Sequence, residues 1–272
     1  MRNLGIEMLT TLGMPPLDYI RLAADLGCGE VSTGLGGLPL SMFGVDDVFY
    51  PQWSLAKDAV LKRETLAVMR DTGVAIGLGE GFRAHGEGDV ADQIPDLDLM
   101  AELGAIRINA IGLDPDRSRC FDQLAKLSAL VAERGMVFTV EFCPGFAVGK
   151  LADVLDLIAH IGPGGCRVLL DTMHFCQTGG TIDQLKALTP GTIGYVQLAD
   201  SRAGIAEADY MNVAMFERCV PGEGELPLKD VVAALPEDVT ISVEVPNLAA
   251  MRSIGPHEHA ARCVAGAREL GA

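Results

Sequence analysis

Val168-Leu169-Leu170-Asp171-Thr172-Met173-His174-Phe175 is an apolar run that closes on a carboxylate and, three residues later, an imidazole. With no polar alternation in it, the run predicts a strand buried on both faces, as in a parallel sheet, with Asp171 where the strand leaves the core. Three other runs share the design, a polar residue near the end of an apolar stretch: Phe138-Thr139-Val140-Glu141-Phe142, Tyr195-Val196-Gln197-Leu198-Ala199-Asp200 and Ile241-Ser242-Val243-Glu244-Val245-Pro246.

Outward from these, strand-like and helix-like segments alternate along the chain, the pattern of successive βα units. Strands are expected at Leu4 to Leu9, Glu30 to Leu35, Val74 to Leu78, Ala105 to Ile111, Met136 to Phe142, Val168 to Asp171, Thr192 to Leu198 and Val239 to Val245. Helices are expected from after Pro15-Pro16 to Gly27, Ser54 to Asp71 with Ser54 as N-cap, Val90 to Leu103, Arg117 to Arg134, Lys150 to Ile161, Ile182 to Leu188, Leu228 to Leu235 and His257 to Leu270. Gly77-Leu78-Gly79-Glu80-Gly81 lacks the third glycine of a dinucleotide fingerprint and reads as a turn. The connection from Gly36 to Trp53 carries Met42, Phe43, Phe49 and Tyr50 and reads as a lid over a pocket or as a loop packed on itself. Eight strand-helix repeats in 272 residues, near the ~250 typical of the fold, predict an α/β chain forming a single (β/α)8 TIM barrel over 1–272. A doubly wound open sheet is the alternative, and it lacks its glycine signature.

The chain carries 37 acidic against 21 basic side chains, a formal net charge of −16. Nucleic-acid backbones and anionic membrane surfaces both demand clustered Lys and Arg, so the expected partner is a small molecule, with no nucleic acid and no membrane. No apolar run is long enough to span a bilayer and the first residues lack a signal-peptide pattern. Seven cysteines, an odd number without a C-x-x-C pair, read as reduced thiols of a cytoplasmic protein.

In a barrel all C-terminal strand ends share one rim, so Glu141, Asp171, Gln197 and Glu244 become neighbours. Three carboxylates and an amide oxygen form a hard-ligand set suited to one divalent ion, Mn, Mg or Co, with Zn as an alternative. Without a cation, carboxylates so close would repel and some would be protonated. His174 reads either as a substrate contact or as a hydrogen-bonded structural histidine. His257 and His259 do not form H-E-x-x-H and are not read as ligands. Arg202 and Arg83 are candidates for an anionic substrate group, with surface salt bridging as the alternative. Pro221-Gly222-Glu223-Gly224 is expected to bring Glu223 toward the rim.

Val140-Glu141-Phe142, Leu170-Asp171-Thr172-Met173-His174, Val196-Gln197-Leu198-Ala199-Asp200, Val220-Pro221-Gly222-Glu223-Gly224-Glu225 and Ser242-Val243-Glu244-Val245-Pro246 together resemble the xylose isomerase-like, AP-endonuclease-2-type TIM barrels. That group includes tagatose 3-epimerases, hydroxypyruvate isomerases, inosose dehydratases and 3-dehydroshikimate dehydratases. The resemblance covers essentially the whole chain. It implies that Glu141, Asp171, Gln197 and Glu244 hold one divalent ion, that Glu141 and Glu244 double as proton carriers, and that His174 reaches the substrate. Many epimerases of the group carry histidine where this chain has Gln197, whereas the hydroxypyruvate-isomerase and dehydroshikimate-dehydratase branches resemble it in using glutamine.

The expected function is a divalent-metal-dependent isomerase or epimerase of a small keto sugar or hydroxy-carbonyl substrate, working by α-proton transfer through a stabilised enediolate. A metal-dependent dehydratase or lyase, acting on a 3-keto polyol or a dehydroshikimate-like acid, is the alternative. A non-catalytic small-molecule-binding barrel is the second. A nuclease is disfavoured by the acidic balance and by only five histidines. Homologous barrels often pair, so a homo-oligomer is left open.

Overall fold

A computed structural model describes residues 3–272. Eight parallel strands close into a barrel in strict chain order, the last hydrogen-bonded to the first. They are β1 (Leu4–Ile6), β2 (Glu30–Thr33), β3 (Ala75–Ala84), β4 (Arg107–Gly112), β5 (Val137–Glu141), β6 (Arg167–Asp171), β7 (Ile193–Leu198) and β8 (Ile241–Val243). The outer ring and the rim carry α1 (Pro16–Asp25), α2 (Ala59–Thr72), α3 (Ile94–Glu102), α4 (Arg117–Ala132), α5 (Leu151–Ile161), α6 (Thr172–Gln177), α7 (Ile182–Lys186), α8 (Tyr210–Phe216), α9 (Leu228–Ala234), α10 (Leu248–Ser253) and α11 (Gly255–Glu269). The (β/α)8 expectation therefore holds. Its greasy strands are mostly buried because helices cover them outside and side chains fill them inside. No helix among the described residues is long and apolar enough to cross a membrane. All seven cysteines are free thiols.

Several boundaries move for identifiable reasons. β1 stops at Ile6, and Met8–Thr11 form a short 3₁₀ turn ending on Leu12 at φ 49°. A buried turn and a buried strand are equally apolar, so the run could not tell them apart. The N-cap of α2 is Asp58, not Ser54: its Oδ1 accepts from Val60 N and Leu61 N, both at 2.9 Å. The largest shift is in β3, which runs straight through the glycines read as a turn, with a register irregularity between Gly79 and Phe82. Those glycines make room inside and outside the barrel. A Cβ at Gly77 would lie 2.1 Å from Glu30 Oε2, and one at Gly79 would lie 2.8 Å from Ile108 Cδ1.

The barrel interior is filled in layers. At the N-terminal end Arg107 Nη1 pairs with Glu30 Oε2 at 2.9 Å and also donates to the Gly77 carbonyl at 3.1 Å. Above this plug Leu78, Leu169 and Tyr195 fill the middle without exposure, and the Tyr195 ring lies 5.4 Å from the Arg107 guanidinium carbon. The Tyr195 hydroxyl points onward and donates to Glu7 Oε1 at 2.8 Å, so the interior becomes polar just below the C-terminal mouth. Gly77→Ala is expected to push Glu30 off Arg107 and to cost about 1–3 kcal/mol by overpacking. The check is a lower urea midpoint at unchanged slope; an unaltered midpoint means Glu30 gives way freely.

Candidate active site

The strand ends named by the sequence do meet at the mouth. Asp171 and Gln197 are register partners across β6 and β7, while Glu141 closes β5 and Glu244 follows β8. Asp171 also caps α6, accepting from His174 N at 3.0 Å, and this turn swings the imidazole back over the strand end. His174 Nε2 stands 3.4 Å from Glu141 Oε1 and 3.9 Å from Asp171 Oδ2. His174 Nδ1 lies 2.6 Å from the Tyr210 hydroxyl. Glu141, Asp171 and His174 each offer a donor atom, and the three atoms lie within 4.8 Å of one another.

Glu244 stands beside this group and is separated from Asp171 by a cation the sequence did not announce. Arg218 Nη1 bonds Asp171 Oδ2 at 2.6 Å and Glu244 Oε2 at 3.0 Å. Below lies an amide shared by three carboxyls: Gln197 Nε2 reaches Glu7 Oε2 at 3.2 Å, Glu80 Oε1 at 3.3 Å and Glu244 Oε1 at 3.2 Å. An amide has two hydrogens, so these three acceptors cannot all be served by it while ionised. Asn109 Nδ2 links the two halves, donating to Glu80 Oε2 at 3.1 Å and Glu141 Oε2 at 3.0 Å.

The titration behaviour follows from this packing. Burial pushes Glu7 up despite hydrogen bonds from Tyr195 and Gln197. Burial, with Glu7 and Glu141 nearby, pushes Glu80 well above the carboxylate range. Burial raises Glu244 well up too; Arg218 opposes this, and Asp171, Glu141 and Glu7 add to it. Asp171 behaves in the opposite sense: burial would raise it, but Arg218 and His174 hold it down at about 2. Burial disfavours a charged His174, and Asp171 together with contacts to Cys143 and Glu141 overcomes this, holding the ring well above the usual histidine range.

A divalent cation fits these residues. Ligand bonds of 2.0–2.2 Å put adjacent donors of one ion roughly 3–3.5 Å apart, so the three donor atoms, within 4.8 Å of one another, need only small side-chain shifts to close on an ion. Gln197 Oε1 is buried without a hydrogen-bond partner among the described residues, a lone pair left to take a cation. The excess of carboxyls over cations is what a metal would relieve.

Arg202 and Glu223 lie elsewhere. Arg202 is exposed on the loop after β7 and does not line the cavity. Glu223 is exposed and pairs with Arg262 of α11 at 2.7 Å. The Val220-to-Leu226 loop is held instead by buried Asp200, whose carboxylate accepts from Gly222 N, Gly224 N and Leu226 N at 3.0–3.1 Å. Arg83 does line the cavity, and its guanidinium forms no ion pair among the described residues. Buried His259 bonds the Val245 carbonyl at 2.7 Å, a structural role.

Glu7, Glu80, Asn109, Arg218 and Tyr210 were missed. Glu7 follows β1 as Glu244 follows β8, so the same strand-end rule could have found it. Glu80 was hidden by its glycine neighbours. Arg218, in a loop after α8, has no local pattern at all.

The profile of the xylose isomerase-like TIM barrels matches residues 20–264. No curated protein matches the sequence. Among solved structures, the IOLI protein with a binding zinc atom superposes with a TM-score of 0.78 at 15% identity, over 98% of this chain and 97% of that one. D-psicose 3-epimerase from Clostridium cellulolyticum H10 gives 0.69 at 14% identity over 98% and 99%. The probable 3-DHS dehydratase AsbF from Bacillus anthracis gives 0.70 at 15% over 99% of both. A xylose isomerase-like TIM barrel/4-hydroxyphenylpyruvate dioxygenase fusion protein gives 0.72 at 21%, over 90% of this chain, which spans 39% of that longer protein. At these identities the likeness is one of fold.

Proposed function

The chain belongs to the xylose isomerase-like TIM-barrel family, and from that premise we propose that it is a divalent-metal-dependent isomerase or epimerase of a hydroxy-carbonyl compound or keto sugar. The observation that carries this reading is the meeting of Glu141, Asp171 and His174, donor atoms within 4.8 Å, beside Glu244 and the unpartnered oxygen of Gln197. Glu141, Asp171, Gln197 and Glu244 would hold the ion. When bound, it would supply Lewis-acid polarisation of a substrate carbonyl and its neighbouring hydroxyl.

The protein's own groups handle the proton. Glu141, steadied by Asn109, is the base that takes the proton α to the carbonyl, and Glu244, raised by burial, is the acid that returns one. His174 keeps Nδ1 against the Tyr210 hydroxyl and Nε2 3.4 Å from Glu141 Oε1, from where it can turn to a substrate oxygen. The family resemblance to the zinc-bound IOLI protein and to the psicose epimerase supports this direction.

A dehydratase or lyase is the second reading, and Glu80 is the observation that favours it. Burial raises this carboxyl well above the usual range, which favours its acid form, and from the cavity lining it can protonate a departing hydroxyl; the probable dehydratase AsbF shares the fold. Metal analysis and proton NMR in heavy water, with a panel of ketoses, hydroxypyruvate and dehydroshikimate, test both. Stoichiometric Mn, Mg, Co or Zn that is lost in Asp171→Ala, with solvent deuterium retained at a substrate carbon, is the expected result. Loss of water from the substrate selects the second reading, and a metal-free, exchange-inactive protein rejects both.

A further inference from the structure

The carboxyl floor occupies only the base of its cavity. The whole cavity, floor included, measures about 680 Å³, whereas a six-carbon sugar has about a dozen heavy atoms and, at roughly 30 Å³ per water-sized group, fills about half of it. The upper half is walled by apolar side chains from separate segments: Leu35 and Phe43 after β2, Phe82 of β3, Phe146 after β5, and Met211 and Met215 of α8. Phe43 and Met211 are each 45% exposed, a large apolar surface left to water. The Phe43 ring is set edge-on to Phe216 of α8 with centroids 6.1 Å apart, which anchors it, while Met211 and Met215 of the same helix can adapt to a guest.

Charge completes the picture. Of the cations lining the cavity, Arg218 is spent on Asp171 and Glu244, His174 stands against Glu141 and Asp171, and Arg83 is exposed on β3 and pairs with none of the floor carboxyls, while Glu80, Glu141 and Glu244 all face the floor. Such a floor repels an anionic head group and suits hydroxyls. We propose that the substrate is amphipathic: an uncharged hydroxy-carbonyl head seated on the carboxyl floor and carrying an alkyl or aryl substituent of about the same size, which lies within the apolar collar. This rests on the reading of the floor given above and adds the substituent to it.

Calorimetric titration of the full chain with methyl, butyl, hexyl and octyl β-D-glucopyranosides, each below its micelle concentration, tests the collar. One-to-one binding should tighten by up to about fourfold per added methylene, with an increasingly negative heat-capacity change. Phe43→Ser with Met211→Ser should flatten that dependence. Ile106→Ser, at an apolar surface residue preceding β4 at the opposite end of the barrel, should leave it intact. Affinity independent of chain length, or an undiminished dependence in the double variant, overturns the proposal. So does a dimer by light scattering that the double variant splits, since the collar is then a subunit contact. The titration needs neither turnover nor metal. A chain-length dependence in an exchange-inactive protein therefore sinks the proton-transfer reading alone, and activity without that dependence sinks this one alone.

Discussion

Glu141→Gln and Glu244→Gln are each expected to lower kcat by about 10²–10⁴ while leaving the fold intact. The amide is isosteric, and its oxygen can still accept from Asn109 Nδ2 at position 141 or from Arg218 Nη1 at position 244. What disappears is the capacity to take or give a proton. At position 244 the amide also mimics the protonated form that burial already favours, so stability should change by less than about 1 kcal/mol. Turnover of whichever compound exchanges deuterium, measured beside a thermal melt, separates the two effects. A loss confined to KM would make these groups binding residues. Full activity in both single variants would sink the pair as proton carriers.

The parts of this architecture that were readable share one physical property. β5 to β8 are buried on both faces, so each appears as a continuous apolar run, and the polar residue that ends it stands out by contrast: Glu141, Asp171, Gln197, Glu244. Where contrast fails, so does the reading. Glu80 sits among glycines that are there to admit Glu30, Ile108 and Met100 side chains, and only the closed barrel reveals that need. Asn109 lies mid-strand in β4, and its use as a clamp between Glu80 and Glu141 depends on β3 and β5 flanking it. Glu223 misled because its Gly-rich loop was read by sequence proximity to the rim, whereas Asp200 fixes the backbone and Arg262 turns the side chain outward. Arg218 is the deepest case, since a guanidinium in a loop looks solvent-bound until two carboxylates are found against it.

Replacing Arg218 with methionine should therefore be among the most destabilising single changes in the molecule. The guanidinium is buried and bonds Asp171 at 2.6 Å and Glu244 at 3.0 Å, and its Nε also donates to the Ala214 carbonyl at 2.7 Å. Taking one partner out of a buried ionic group leaves charge without compensation, which costs about 3–5 kcal/mol and, for a chain of this size, lowers the melting midpoint by about 10 °C. The pH dependence has a definite sign. Asp171 titrates at about 2 in the folded protein, below its ordinary value, so its contribution is present above pH ~4 and is lost as pH falls from there toward 2. In Arg218→Met the same carboxyl loses its chief counter-charge and takes up its proton at higher pH. The gap in stability between parent and variant should thus be widest at neutral pH and should narrow as acid is added through that window. Glu244→Gln introduced into the variant should recover little of the loss, because burial already favours the neutral form of Glu244 and removal of Arg218 favours it further. Urea melts of the three variants and the parent at pH 7 and pH 3.5 decide it: a gap that is small at pH 7, or that widens in acid, would mean that something other than Arg218 neutralises the floor.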